Sequence, residues 1–206
     1  MATDVPQALL QWRGTSHNAT GGALVIRQDA RWEVLQRALA RAAAEADLLK
    51  SPKEYYTNFF AQQGFTLTDV LGGGNCLFRA LAAQLNILHR NDSAWENKTH
   101  ENVRAEIVSY MRDNREYFIN MLCHELNDKN QSFDEYLDCM GQLGEWGCGE
   151  EISAASKLYK VNIDVWWCST ERINIEKYSY PFEDENNTLY LVHFGSHYQH
   201  LVRVNK

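Results

Sequence analysis

The residues best suited to chemistry lie in Gly72-Gly73-Gly74-Asn75-Cys76-Leu77-Phe78-Arg79-Ala80. A lone cysteine there follows a glycine-rich turn and opens a run with helical spacing at Leu77, Ala80, Leu81, Gln84, Leu85 and Leu88. Backbone amides at a helix start carry partial positive charge, which favours thiolate over thiol. Glycines let the main chain approach a substrate closely and aim N–H groups at a developing oxyanion. Nucleophile and oxyanion hole can therefore share one turn. The ordinary alternative is a turn that ends a strand in front of a buried structural cysteine. The phosphate-binding pattern G-x-x-x-x-G-K-[ST] does not occur.

A nucleophilic thiol needs a histidine that accepts its proton and returns it to the leaving amine, distant in sequence and adjacent in space. The candidates are His17, His89, His100, His124, His193, His197 and His200. His17 falls in the loop-like GTSHNATGG, and His89 and His100 flank a polar loop, so solvation accounts for these three. His124 sits on a predicted helix with no evident partner, and His193 lies inside TLYLVHF, where an inward ring is a core group. His197, in FGSHYQHLVRV, occupies a short turn between two predicted strands, where a rigid sheet can present a side chain to a facing helix. The other cysteines, Cys123, Cys139, Cys148 and Cys168, form no C-x-x-C pair with one another or with Cys76. Neither a disulfide framework nor a zinc finger is expected, and most of these thiols should be small core groups in a reducing compartment.

These groups must be held by the surrounding elements. Trp32, Leu35, Leu39, Ala42, Ala46 and Leu49 predict an amphipathic helix within residues 30–50, and a change of composition near residue 50 divides an N-terminal extension, 1–50, from a domain over 51–206. The extension is expected to add a packing layer, with a recognition surface as the alternative. Ser51, Pro52 and Gly64 read as cap, first residue and stop of a short helix. One long amphipathic helix is expected from Thr99 through Val103, Ile107, Met111, Tyr117 and Phe118. Ser132 to Gly141 bounds a shorter helix and Glu150–Tyr159 another. The texture then changes to period two in VNIDVWW, RINIEKYSY, TLYLVHF and QHLVRV. Helices first and strands last indicate an α+β fold.

Composition narrows the function classes. Lys+Arg 20 against Asp+Glu 27 gives a net charge of −7, which argues against a nucleic-acid-binding domain. A hydrophobic share of 45% suffices for one sizeable core and excludes a mainly disordered chain. No apolar run approaches the roughly 18 residues of a membrane span, and the N-terminus has no basic head followed by an apolar stretch. A cytoplasmic protein is expected, or one delivered into a host cytosol if microbial.

Three blocks, GGGNCLFRALAAQL, EWGCGEEISAASKLYKVNIDVW and SHYQHLVRV, resemble in order and spacing the signatures of the ovarian-tumour (OTU) family of cysteine proteases, over about residues 66–204. The resemblance implies a papain-like fold, with helices packed around a small mixed β-sheet. It also implies a deubiquitinase: hydrolysis of isopeptide bonds to ubiquitin or polyubiquitin, or to a ubiquitin-like modifier, without metal or cofactor. Carried over by position, Cys76 is the nucleophile and His197 the general acid and base. Gly73, Gly74 and Asn75, with the amide of Cys76, form the oxyanion loop, and Trp146 and Gly147 line the cleft for the ubiquitin tail.

The departures bear on the third group of the site. Gly73 stands where the family usually carries aspartate, and Gln199 where many members carry Asp or Asn to orient the imidazole. Glutamine accepts a hydrogen bond but is longer, more flexible and uncharged, so it stabilises an imidazolium less. Asp69, seven residues before Cys76, could instead reach the ring through the glycine turn, with a strand-end polar residue as the ordinary alternative. Cys148 replaces the second glycine of W-G-G, as a packing residue or a second thiol. An inactive ubiquitin-binding module is the alternative to an enzyme.

Overall fold

The computed structural model describes residues 33–40, 51–182 and 187–204. The chain divides into two units, Met1–Leu49 and Lys50–Lys206. In the first, residues 33–40 are helical, with Arg37 reaching Glu33 one turn back at 3.5 Å. The rest of the helix expected within 30–50 lies outside the described residues.

In the second unit α1 (Pro52–Gln62) begins as expected: Ser51 Oγ accepts from the Glu54 amide and Pro52 takes the first turn. The chain reverses at Gly64, φ +80°, into β1 (Phe65–Thr68). The glycine turn then leads into α2 (Cys76–Leu88), which buries Leu77, Phe78, Ala80, Leu81, Gln84 and Leu85. Each large apolar side chain so buried contributes about 1.5–3 kcal/mol.

The long helix expected from Thr99 is two helices, α3 (His100–Asp113) and α4 (Arg115–Asp128). Asn114 separates them at φ −110°, ψ 38°. Its side-chain amide donates to the Tyr110 carbonyl at 2.8 Å, and its own carbonyl accepts from the Tyr117 amide. Asparagine's competition for local backbone groups is the physical reason for the break, and the new direction buries Phe118 and Leu122 in the same core as Ile107 and Met111. Next come α5 (Phe133–Met140), started by a Ser132/Glu135 capping box, and α6 (Gly149–Tyr159).

The remaining strands are β2 (Asn162–Cys168), β3 (Ile175–Tyr180), β4 (Thr188–Phe194) and β5 (His197–Arg203). They form one sheet with β1 in the order β1-β5-β4-β2-β3, antiparallel except for the β2–β4 pair. The parallel register sets Ile163 beside Leu189 and Val165 beside Leu191, all four buried in the core that also takes in residues of α2 to α6. A second cluster, Tyr56 and Phe60 of α1 with Cys168, Val192 and Leu201, covers the other face. The expected α+β arrangement, helices around a small mixed sheet, is the one observed.

Gln84 ties α2 to the sheet. Its Nε2 donates to the Leu201 carbonyl at 2.9 Å and lies 3.0 Å from His200 Nδ1, while its Oε1 accepts from the Tyr190 amide at 2.8 Å. This buried side chain connects the helix that begins at Cys76 with the strand that begins at His197.

Candidate active site

Cys76 is the first residue of α2 and is 1% exposed. Its Sγ accepts the backbone N–H of Tyr198 at 3.5 Å, so the sulfur sits against the start of β5, next to His197. A two-residue turn, Gly195-Ser196, closes the β4–β5 hairpin, pairs Phe194 with His197 and leaves the imidazole half-buried at the sheet's end. His197 Nε2 lies 2.7 Å from Asp69 Oδ1. An ionised carboxylate only accepts, so the ring proton is on Nε2 and the basic nitrogen of the neutral ring is Nδ1.

The orienting contact expected of Gln199 is thus made by Asp69. The reason is sheet register. β1 pairs Thr68 with His200, so one step further Asp69 stands across from Gln199, on the face that Gln199 shares with His197. The polar Gln199 side chain is the main cause holding the Asp69 carboxyl below the ordinary carboxylate range; burial opposes it, and His197 and the Val70 amide reinforce it. Gln199 is buried and acts on the carboxylate. Lys53, at the start of α1, approaches the other carboxylate oxygen at 3.8 Å.

The glycine turn is tightly specified. Gly73 has φ +92°, a region open to glycine, and its carbonyl accepts the Cys76 N–H at 3.0 Å. The Cys76 amide, expected among the oxyanion donors, is therefore already bonded. Gly74 is buried, and a Cβ there would land on the Gly144 carbonyl. Asn75 Oδ1 accepts from the Gly144 amide at 2.9 Å. Among the described residues, the backbone amides of Gly74 and Asn75 have no protein acceptor.

The sequence pattern of the OTU-like cysteine proteases matches residues 71–201. This chain belongs to that family. Relatives include the OTU domain-containing deubiquitinating enzyme 6 of Arabidopsis thaliana, 29% identical over 140 residues, and the OTU domain-containing protein 2 of Saccharomyces cerevisiae, 25% identical over 142. The matches cover 68% and 69% of this chain but only 25% and 46% of those proteins. Among solved structures, the OTU domain of OTUD1 superposes with TM-score 0.62 at 19% identity, over 77% of this chain and 99% of its own. The Hazara virus OTU bound to ubiquitin gives 0.52 at 20% identity, over 70% and 85%. At these identities the likeness is one of fold.

In this OTU domain the two residues expected to line the cleft, Trp146 and Gly147, differ sharply. Trp146 is 52% exposed, whereas Gly147 is buried. A Cβ on Gly147 would meet Leu77 Cδ2 at 2.8 Å and Phe78 Cζ at 3.0 Å, so the chain there lies flat on the start of α2. Cys148 donates its thiol proton to Glu150 Oε2 at 2.8 Å, and its backbone N–H caps α6 through Glu151 Oε2 at 2.8 Å. Burial and the neighbouring Glu151 push that thiol far up, which keeps it protonated and a poor second nucleophile. Glu125, Cys148 and Glu150 converge closely enough to suggest metal ligands, but Glu125 is already paired with Lys129 at 2.6 Å and the thiol with Glu150.

The site residues that were hard to foresee are the ones set by tertiary contacts. Asp69 had a weak signal, an acid just past β1. Arg104, which contacts the glycine turn, had none, because an arginine in HENVRAEIVSYMRD reads as an ordinary solvated helix residue.

Proposed function

We propose that this chain is a thiol-dependent deubiquitinase, with Cys76 as nucleophile, His197 as general acid and base, and Asp69, buttressed by Gln199, as the group that orients the ring. The observation that carries this reading is the Asp69–His197 contact at 2.7 Å, which leaves Nδ1 as the basic nitrogen on the residue preceding Tyr198, whose backbone N–H meets the Cys76 sulfur. Nδ1 takes the thiol proton, and the thiolate attacks the carbonyl carbon of the isopeptide bond. The tetrahedral oxyanion is received by amides of the Gly73–Asn75 turn. As the C–N bond breaks, the imidazolium returns its proton to the lysine amine. Water, deprotonated by the same ring, then hydrolyses the thioester and releases the ubiquitin carboxylate.

Ubiquitin as the substrate class is supported by the deubiquitinating relative and by neighbours of the same fold that bind ubiquitin, the Hazara virus OTU and an OTU deubiquitinase of Wolbachia pipientis. The second reading, a ubiquitin-binding module without turnover, is favoured by the Cys76 N–H being held by Gly73. Ubiquitin bearing a C-terminal electrophile and a panel of differently linked ubiquitin dimers separate the two. Adduct formation and dimer cleavage, both lost in Cys76→Ala, are expected. Tight ubiquitin binding with uncut dimers would establish the module.

A further inference from the structure

Arg104, on α3, is the bulkiest of the fully buried side chains, 1% exposed, and no step of the proposed reaction uses it. Its Nη1 donates to the Met140 carbonyl at 2.8 Å. Its Nη2 donates to the Gly74 carbonyl at 3.0 Å, to Asn75 Oδ1 at 2.8 Å and to the Glu145 carbonyl at 2.7 Å. The guanidinium carbon lies 3.8 Å from the centre of the Phe78 ring, and Nε has no hydrogen-bond partner among the described residues. Burying a cation whose bonds go to carbonyls and an amide, with no carboxylate bonded to it, costs several kcal/mol. Glu151 and Glu145 offset only part of the burial that lowers its pKa.

The acceptors identify what the arrangement does. Gly74 and Asn75 are the two residues before Cys76; Met140 and Glu145 bracket the loop that runs from α5 toward the cleft residue Trp146. In a trans peptide the C=O and N–H point to opposite sides. Fixing the Gly74 carbonyl on Arg104 therefore turns the Asn75 N–H away from the guanidinium, and no protein group takes that N–H up. Asn75 Oδ1, shared between Arg104 and the Gly144 amide, joins the two loops at the same point. We infer that Arg104 is a positioning residue that presents the Asn75 amide as an oxyanion donor and holds the glycine turn against the loop at 141–145. The two N–H groups of Nη2 are shared among three acceptors while Nη1 reaches a fourth; a lysine ammonium, a single nitrogen on a shorter reach, cannot span both sides of this planar fork. The catalytic consequence rests on the hydrolase reading above.

The test compares the full-length chain with its Arg104→Lys variant. Thermal melts establish folding, hydrolysis of a ubiquitin–fluorophore amide gives kcat and KM, iodoacetamide gives the alkylation rate of Cys76, and amide spectra report the loops. Alkylation passes through no oxyanion. Losing one oxyanion donor predicts a fall of about 100-fold in kcat, with KM and the alkylation rate each within about threefold. Amide resonances of 72–75 and 141–145 should move while the rest of the spectrum stays in place. A folded variant with unchanged kcat, or one that loses kcat and alkylation together, overturns the inference. If Arg104→Lys does not fold, Gly144→Ala strains the same junction at φ +97° on an exposed loop, where its Cβ meets open space. It should lower kcat about tenfold with alkylation unchanged, and an unaltered kcat overturns the inference. If the wild type hydrolyses nothing, the hydrolase reading fails separately. Displaced loop amides in the variant then uphold the positioning role, and undisturbed ones overturn it.

Discussion

Asp69 Oδ1 meets His197 Nε2 at 2.7 Å across a sequence separation of 128 residues. The carboxylate stands one residue past the end of β1 and the imidazole opens β5, so the antiparallel pairing of these two strands assembles the orienting pair. Asp69→Asn is expected to lower kcat/KM by about 10- to 100-fold on a ubiquitin substrate, less than removal of a fully buried triad aspartate, because this side chain is 57% exposed. Gln199→Ala, which frees the carboxylate without removing it, should cost less than Asp69→Asn. The ranking is checked by steady-state kinetics of both variants; a larger loss in Gln199→Ala would return the orienting role to glutamine.

The same contact has a pH consequence. Gln199 first, then His197, hold the Asp69 carboxyl below its ordinary range. A depressed folded-state value means that the pair's contribution to stability is present above the unfolded value and is lost only as pH falls through the lower folded value. The contribution of Asp69 to stability, followed as urea midpoints, should therefore persist through the ordinary carboxylate range and fade only below it. The loss should begin at higher pH when Gln199 is replaced by alanine, and an unchanged onset would contradict the support given to Asp69 by Gln199.

Much of this was readable from local chemistry. Ser51 with Pro52, and Ser132 with Glu135, mark helix starts through contacts within one turn, and Cys76 and His197 stand in motifs whose side-chain types state their use. Asp69 was harder to read, because its partner depends on a strand register fixed only when the sheet closes. Arg104 was invisible, since its acceptors, three main-chain carbonyls and the Asn75 side chain, lie 29 to 41 positions away. The break at Asn114 was hidden by apolar spacing that runs straight through it.

The glycine turn makes Gly73 and Gly74 distinguishable. A side chain at Gly73 meets open space but must adopt φ +92°, whereas one at Gly74 collides with the Gly144 backbone. Restoring the family's aspartate by Gly73→Asp should thus fail to raise activity and should cost about 1–2 kcal/mol of stability, because the ring already has its carboxylate and the backbone is strained. Gly74→Ala should abolish turnover by displacing the turn. Urea denaturation with parallel turnover assays checks both, and a faster Gly73→Asp enzyme would contradict the role given to Asp69.

The Gln84–His200 contact predicts how the fold itself responds to acid. His200 is 4% exposed, and burial lowers its pKa below the ordinary histidine value of about 6.5. Its Nδ1 faces the Gln84 amide at 3.0 Å; that amide also donates to Leu201, so Nδ1 is the acceptor and the ring is neutral. Below pH 6.5 the unfolded chain binds a proton that the folded ring refuses, so stability falls as pH drops through this window. His193 shifts in the same direction, from burial and then from the His197 charge, so each must be replaced separately. Urea midpoints from pH 7.5 to 5 should decline for the wild type and flatten in His200→Asn, with a smaller change in His193→Asn. Gln84→Ala, which strips partners from His200, Leu201 and Tyr190, should cost about 2–4 kcal/mol at pH 7.5. It should also shift the decline, because a His200 ring without its donor is freer to protonate. A wild-type stability independent of pH across this range would mean that the His200 ring is not held neutral between α2 and β5.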